Sequence, residues 1–461
     1  MAERLSRLSL SRKYRGLVGH SFLTAVVDGR PRWNEFEMNA TIPFPRMFAL
    51  RQRFPASSPL DIPATVRREF KAQNLPSNLK LGAQIAVAVG SRGISNIKEI
   101  VASVLDVLKA SGANPFILPA MGSHGGATPE GQIGVLESYG ITGQSMGVPI
   151  RASMEVERVG RTSDGVDAVC SVEALRSDGI VLVNRVKPHT DFQGALGSGV
   201  MKMSVIGLGK RAGAAACHAA ATRLGYEHTL RSIARVMMGT APILCGVAVV
   251  ENQFHDTARI AVLKRDEIEE REKELLEEAR RLMPTLPFDD VDLLIVDRIG
   301  KNISGSGMDP NVTGRWVHGY STSLGSDNPA KPMIRRIFVR DLTPETHGNA
   351  IGIGFADLTT TRLVKAMDKQ ATYINALTSL TPNGAKIPIH FDTDRECIAQ
   401  ALASLAIPDT HQAKVVRIAD TLSLATLEVS EAYANAVKQR ADLETVEKPR
   451  EMRFSATNDL M

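Results

Sequence analysis

The chain has 461 residues, 43% of them hydrophobic and 23% charged, with 37 glycines. That length exceeds what one hydrophobic core usually serves, and the composition is that of a globular protein; disordered and fibrous classes are excluded, and two domains or one two-lobed α/β unit are expected. The formal net charge of +5 is spread along the chain rather than collected in one block, which argues against a nucleic-acid partner while suiting a small anionic substrate.

Residues 1 to about 60 read as an irregular, Pro-rich extended arm or strand-and-loop segment ("TIPFPRMFALRQRFPASSPLDIP") laid over a later domain. The opening twenty residues are basic but lack the apolar core of a signal peptide, and no window of about 18 uninterrupted apolar residues exists, so no membrane partner is expected. Cys170, Cys217, Cys245 and Cys397 lie far apart without a CxxC pair, which suggests neither a disulfide framework nor a cysteine zinc site. A reducing, cytoplasmic setting is expected.

From there strand and helix alternate. "AQIAVAVG" reads as a buried strand, "SNIKEIVASVLDVLKASG" as an amphipathic helix ending at glycine, and "NPFILPAMG" as the next strand. "TPEGQIGVLESYGI" adds a helix, and "GIVLVNRV" and "ILCGVAVVENQ" two more strands. The pattern predicts mostly parallel sheets flanked by helices. "KRDEIEEREKELLEEARRLMP" is a charge-rich helix with Ile268, Leu275 and Leu282 at heptad-like spacing and a mostly solvated surface. Pro284 and Pro287 follow it, and "VDLLIVDRIG" opens a second series of strands. The expected division is therefore 1–285 and 286–461, each an α/β lobe, with the active site in the cleft between them. The last forty or so residues hold a helix, "SEAYANAVKQRADL", and a polar tail expected to fray or to return to the first domain.

Ligands of open α/β sheets bind beyond the carboxyl ends of the strands, and four such loops carry chemistry. In "VGSRGIS", Arg92 could fork onto phosphate or carboxylate, with Ser95 as a helix cap; a tight turn with a surface arginine is the alternative. "AMGSHGGATPEG" holds His124 among Gly122, Gly125 and Gly126, where backbone cannot shield it; the alternative is a histidine satisfying loop carbonyls. "NRVKPHTDFQGALGSGVMKM" delivers His189 at a strand end, then a glycine-rich turn through Gly199 where Lys202 can approach a ligand; it is neither a P-loop nor GxGxxG. "GLGKRAGAAACHAAA" is a small-residue helix carrying His218, which read alone is a packed or surface residue. "DRIGKNISGSGMDPN" offers Lys301, Asn302 and Ser304 to grip a carboxylate across the cleft, against the alternative of an anion-free loop.

Together these loops resemble the nickel-dependent lactate racemase family of 2-hydroxy acid racemases and epimerases. The match rests on Pro188-His189, Phe192-Gln193-Gly194, Ser198-Gly199, Lys202, then Gly207, Arg211 and His218 at five, nine and sixteen residues beyond the lysine, with His124 in its own earlier loop. The resemblance implies a nickel-pincer nucleotide bound covalently by Lys202, with His218 as its nickel ligand. It implies His124 and His189 as acid/base groups on the two faces of a 2-hydroxy acid, and Arg92, Gly125 and Gly199 beside the cofactor. Lys301 and Asn302, with Arg92, would bind the substrate carboxylate. Cofactor-biosynthesis enzymes would be partners, and oligomerisation is left open. Two departures, Val89 where the family has aspartate and three extra residues between His189 and the lysine, imply a different substrate or cofactor grip, with a larger or sugar-derived acid among the options. Two other readings stay open: a non-catalytic sensor of an organic acid or nucleotide, and an oxidoreductase using another nucleotide such as NAD.

Overall fold

The structure is a computed structural model that describes residues 25–27, 30–32, 42–55, 59–75, 79–90, 93–190, 192–318, 321–322 and 332–461. Arg92 and most of the expected arm lie outside the described residues. Residues 1–43 form a unit of their own, in which 25–27 and 30–32 pair as antiparallel strands. Everything below concerns the second unit, residues 44–461.

That unit is α/β, built on two sheets. The first has the order Thr257–Lys264, Ile243–Glu251, Gly179–Arg185, Gln84–Val89, Asn114–Pro119. Its strands are parallel apart from the Thr257–Lys264 edge, with Val87 opposite both Ile117 and Val181. Alternation along each strand divides the side chains between two cores. Ile85, Val87 and Val89 face one, with the helices Ile62–Ala72 and Ile97–Ala110. Ala86, Ala88, Phe116, Leu118 and Leu182 face the other, which takes in Phe192, Val200, Met201, Val205, Cys217 and Tyr226. The segment carrying His189, Lys202 and His218 is thus the cover of one face of the first sheet.

The second sheet has the order Ile389–Phe391, Leu358–Thr360, Met333–Leu342, Asp290–Ile299, Val415–Ile418, Thr426–Ser430, Met47–Gln52, Leu443–Thr445. Its first five strands are parallel and its last three antiparallel. Within the expected arm or strand-and-loop segment, Met47–Gln52 forms a regular strand of the second sheet. The reason is local: "MFALRQ" alternates between core and outside between flanking prolines, so it fits a slot with one buried face. This strand pairs in the second sheet although it precedes residue 285 in the chain.

The C-terminal segment also departs from expectation. "SEAYANAVKQRADL" is divided among a strand end, a short turn, the helix Ala434–Lys438 and the beginning of the Leu443–Thr445 strand. The tail beyond it is held on the second sheet and does not return to the first. Arg340 Nη2 donates to the Leu460 carbonyl at 2.6 Å, Arg417 Nη1 to that of Met461 at 2.7 Å, and Leu460 N to Asp394 Oδ2 at 2.9 Å. The Ile268–Leu282 helix buries Ile268, Glu272, Leu275, Leu276 and Ala279 as one stripe against the first sheet. At the start of the Ile97–Ala110 helix, Asn96 rather than Ser95 holds the cap position, and the Ser95 N–H donates to Glu251. Among the described residues no helix is long and apolar enough to cross a membrane.

Asp394 is 0% exposed and receives Arg340 Nε at 2.8 Å and Arg362 Nη2 at 2.6 Å in addition to Leu460 N. Asp394→Ala leaves two guanidinium groups without their shared anion, and its urea unfolding free energy is expected to fall by about 3–5 kcal/mol. A fall below about 1 kcal/mol, the scale of an exposed pair, would show that the tail latch contributes little.

Candidate active site

The site grows out of a closed loop. After the strand Gly179–Arg185, Lys187 and Ser198 exchange backbone hydrogen bonds, each at 2.8 Å, pinching residues 187–198 at the base. Gly197 makes the pinch possible, since a Cβ there would run into the Lys187 carbonyl. His189 lies in this loop, 5% exposed, stacked on Phe192 at 4.5 Å and tilted against Tyr226 at 4.9 Å. His218 meets Tyr226 edge-on at 5.6 Å, and Tyr226 stacks on Phe192 at 4.8 Å, so the four rings form one cluster.

Lys202 enters from the turn that follows. The short helix Val200–Lys202 starts at Gly199, whose carbonyl accepts from Asn184 Nδ2 at 2.7 Å. Lys202 Nζ lies 2.6 Å from His189 Nε2 and 3.4 Å from Ser198 Oγ. At the shorter separation one nitrogen must accept the proton of the other, so ammonium and imidazolium are not present together in this arrangement. A π-helical turn, Met203–Gly207, comes next, and the chain then folds back at Leu208 and Gly209 into the helix Lys210–Leu224 that carries His218.

The structure thus brings together His189, Lys202 and, across one aromatic ring, His218. The half-buried His124 stands in its own loop after Asn114–Pro119, and that loop packs against the same segment: a Cβ on Gly122 would lie 3.0 Å from Ile206 Cγ2. The two glycines expected beside a cofactor have structural duties. Gly125, at φ +63, packs where a Cβ would run into the Gly131 backbone, and Gly199 where it would run into the Glu272 carboxylate. In the second sheet's loop Lys301 Nζ donates to Asn375 Oδ1, and Asn302 Oδ1 accepts from Thr343 Oγ1 at 2.6 Å. Ser304 is buried against Ser306 at 3.1 Å, so its expected reach across a cleft is corrected. Among the described residues no three His, Cys, Asp or Glu side chains cluster as a metal site. Burial pushes each of the four cysteine thiols up to about 12, which leaves them poor nucleophiles.

Other groups at the site were not evident in the sequence. Lys187 Nζ pairs with the buried Asp309 at 2.8 Å, and Asn311 Nδ2 donates to the His189 carbonyl at 3.1 Å; both partners sit at the start of the helix Pro310–Thr313. Burial alone would raise the Asp309 carboxyl, but the Lys187 ammonium and the Asn311 donors outweigh it and hold the group below its usual range. "MDPN" is a helix-start signature, and it was the available signal. A cavity of about 330 Å³ lies against His189, lined by Pro188, Phe192, Leu196, Arg280, Met283 and Asn311 among others. Its size is that of a small-molecule site. Among the described residues neither Lys202 nor His218 lines it.

No family model matches the chain, and no curated protein does. Among solved structures, the lactate racemase apoprotein from Thermoanaerobacterium thermosaccharolyticum is similar at 13% identity and a TM-score of 0.47, over 84% of this chain and 95% of that one. A likeness at that level carries no functional argument.

Beneath the Lys202 turn lies Glu272, 0% exposed, whose Oε2 accepts the Met201 N–H at 2.9 Å. Burial pushes its carboxyl up to about 7 from 4.5, against the downward pull of the Met201 and Val200 N–H groups. Between those two values the folded protein keeps a proton that the unfolded chain releases, so this residue makes stability fall as pH rises from 4.5 to about 7 and level off above. Glu272→Gln removes that titration. Its stability relative to the parent should be about 3 kcal/mol more favourable at pH 8 than at pH 4 in urea unfolding. A difference independent of pH would contradict the assignment of that proton to Glu272.

Proposed function

We propose that the protein is an isomerase, a racemase or epimerase that inverts the 2-carbon of a 2-hydroxy acid, with His124 and His189 as acid/base groups. The observation that carries the reading is the direct contact of Lys202 Nζ with His189 Nε2 on the wall that also bears His218. An amine and two imidazoles on one apolar cluster suit covalent attachment, proton transfer and metal ligation together. The motif spacing that resembles the racemase family falls on these same residues.

The donor set fits a nickel-pincer nucleotide: Lys202 would hold it covalently and His218 would ligate its nickel. When bound, that group supplies a hydride acceptor. The chain's own part is to orient the acid and move a proton at its hydroxyl. A histidine on each face of the substrate allows removal of that proton on one side and its return on the other, and imidazole titrates close enough to neutrality for both directions. The Phe192 and Tyr226 rings hold the His189 ring in plane, which limits its freedom to the position that meets Lys202. The departures of the loop from the family pattern are in keeping with an acid larger than a three-carbon one.

The test is expression in cells supplied with nickel and the cofactor's biosynthetic enzymes, followed by intact mass, metal analysis and a racemisation screen of 2-hydroxy acids. A nucleotide-sized adduct mapping to Lys202, with about one nickel per chain, is expected, and Lys202→Ala should lose both while keeping its circular dichroism. His124→Ala and His189→Ala should each lower turnover about a hundredfold or more. An unmodified Lys202 in competent cells would remove the cofactor assignment, and near-parental rates in both histidine variants would remove the acid/base pair.

A further inference from the structure

Lys210 opens the helix that carries His218, with its side chain sealed inside the protein: it is 0% exposed. Its backbone is left-handed, at φ 53, where a side chain is strained. Strain and desolvation both oppose a lysine here, and glycine would relieve both. What the residue contributes is its ammonium. Nζ donates to the Pro119 carbonyl, at the end of the strand that leads to the His124 loop, and to Gln132 Oε1 at 3.1 Å.

Gln132 is also 0% exposed, and with its oxygen turned to Lys210 its amide nitrogen must face the other way. That nitrogen donates to the Gly122 carbonyl at 2.9 Å and the His124 carbonyl at 3.4 Å. Lysine, amide and two loop carbonyls form one buried chain, in which each bond orients the next. Burial lowers the ammonium to about 8, so it keeps most of its charge at neutral pH.

We infer that Lys210 is the positioning residue for His124, setting the loop that bears it in register with the helix that bears His218, through Gln132. This rests on the reading of His124 as an acid/base group only for its catalytic consequence; the positioning itself is independent of any activity. No carboxylate among the described residues pairs with Lys210, so the network has no role as an ion pair.

Reaction of the full-length protein with diethyl pyrocarbonate, read at each histidine by peptide mass spectrometry, tests it with the exposed His411 as internal reference. Lys210→Met should raise the modification rate of His124 about fivefold, the factor expected for one lost net hydrogen bond, while His411 is unchanged. Gln132→Glu keeps an acceptor for the ammonium and gives it a counterion but removes both donors to the loop. It should raise His124 labelling by the same factor with a Tm equal to or above the parent's, an outcome that a purely structural role would not give. Unchanged His124 labelling in Gln132→Glu, or a rise that His411 shares, overturns the proposal, and that variant carries the test even where Lys210→Met does not fold. Because the readout needs no turnover, loss of the racemase reading and loss of this one are seen separately.

Discussion

An amine and an imidazole held 2.6 Å apart have room for one shared proton, and much of the surrounding structure serves to keep that separation. Two protonated nitrogens at that distance would repel strongly in a partly buried site. His189 is fixed by the pinch between Lys187 and Ser198 and by the Phe192 and Tyr226 rings. Lys202 is fixed by a turn whose start is held by Asn184 and Glu272. The second sheet adds its own grip, through Asp309 on Lys187 and Asn311 on the His189 carbonyl.

Three ionisable groups are buried around this contact, and each is accommodated differently. Asp309 keeps its charge because an ammonium faces it. Lys210 is solvated by carbonyl and amide oxygens. Glu272 receives backbone N–H bonds and is close to half protonated at neutral pH.

Much of this was legible where a period or a glycine cluster carries the signal. The strands Gln84–Val89 and Gly179–Arg185 are apolar runs between breakers, and His189, Lys202 and His218 stand out because they are set among glycines and small apolar residues. Glu272 was hidden for the opposite reason, as one carboxylate in a helix crowded with them. Yet it lies four residues after Ile268 and three before Leu275, on the apolar stripe, so the phase of the helix marks it as buried. Lys301 and Asn302 could not be placed from sequence, because their orientation is set by Asn375 and Thr343, which the chain supplies far downstream. The sheet that Met47–Gln52 joins was hidden for the same reason: its partner strands come from the opposite end of the chain.

The sixteen-residue step from Lys202 to His218 acquires meaning only through the fold-back within it. On a straight α-helix that spacing would separate the two residues by about 24 Å. Here the π-helical turn Met203–Gly207 ends in a reversal, where Gly209 lies so close to the Val205 carbonyl that a Cβ would collide with it, and Lys210 takes the left-handed conformation. The helix then runs back with alanine at seven of its fifteen positions, which lets it lie close to the wall behind it. The result is that Tyr226 touches both His218 and the partner of Lys202. The small residues that make this stretch look featureless in sequence are the ones that permit the reversal, and the strained Lys210 at its corner is the residue that ties it to the His124 loop.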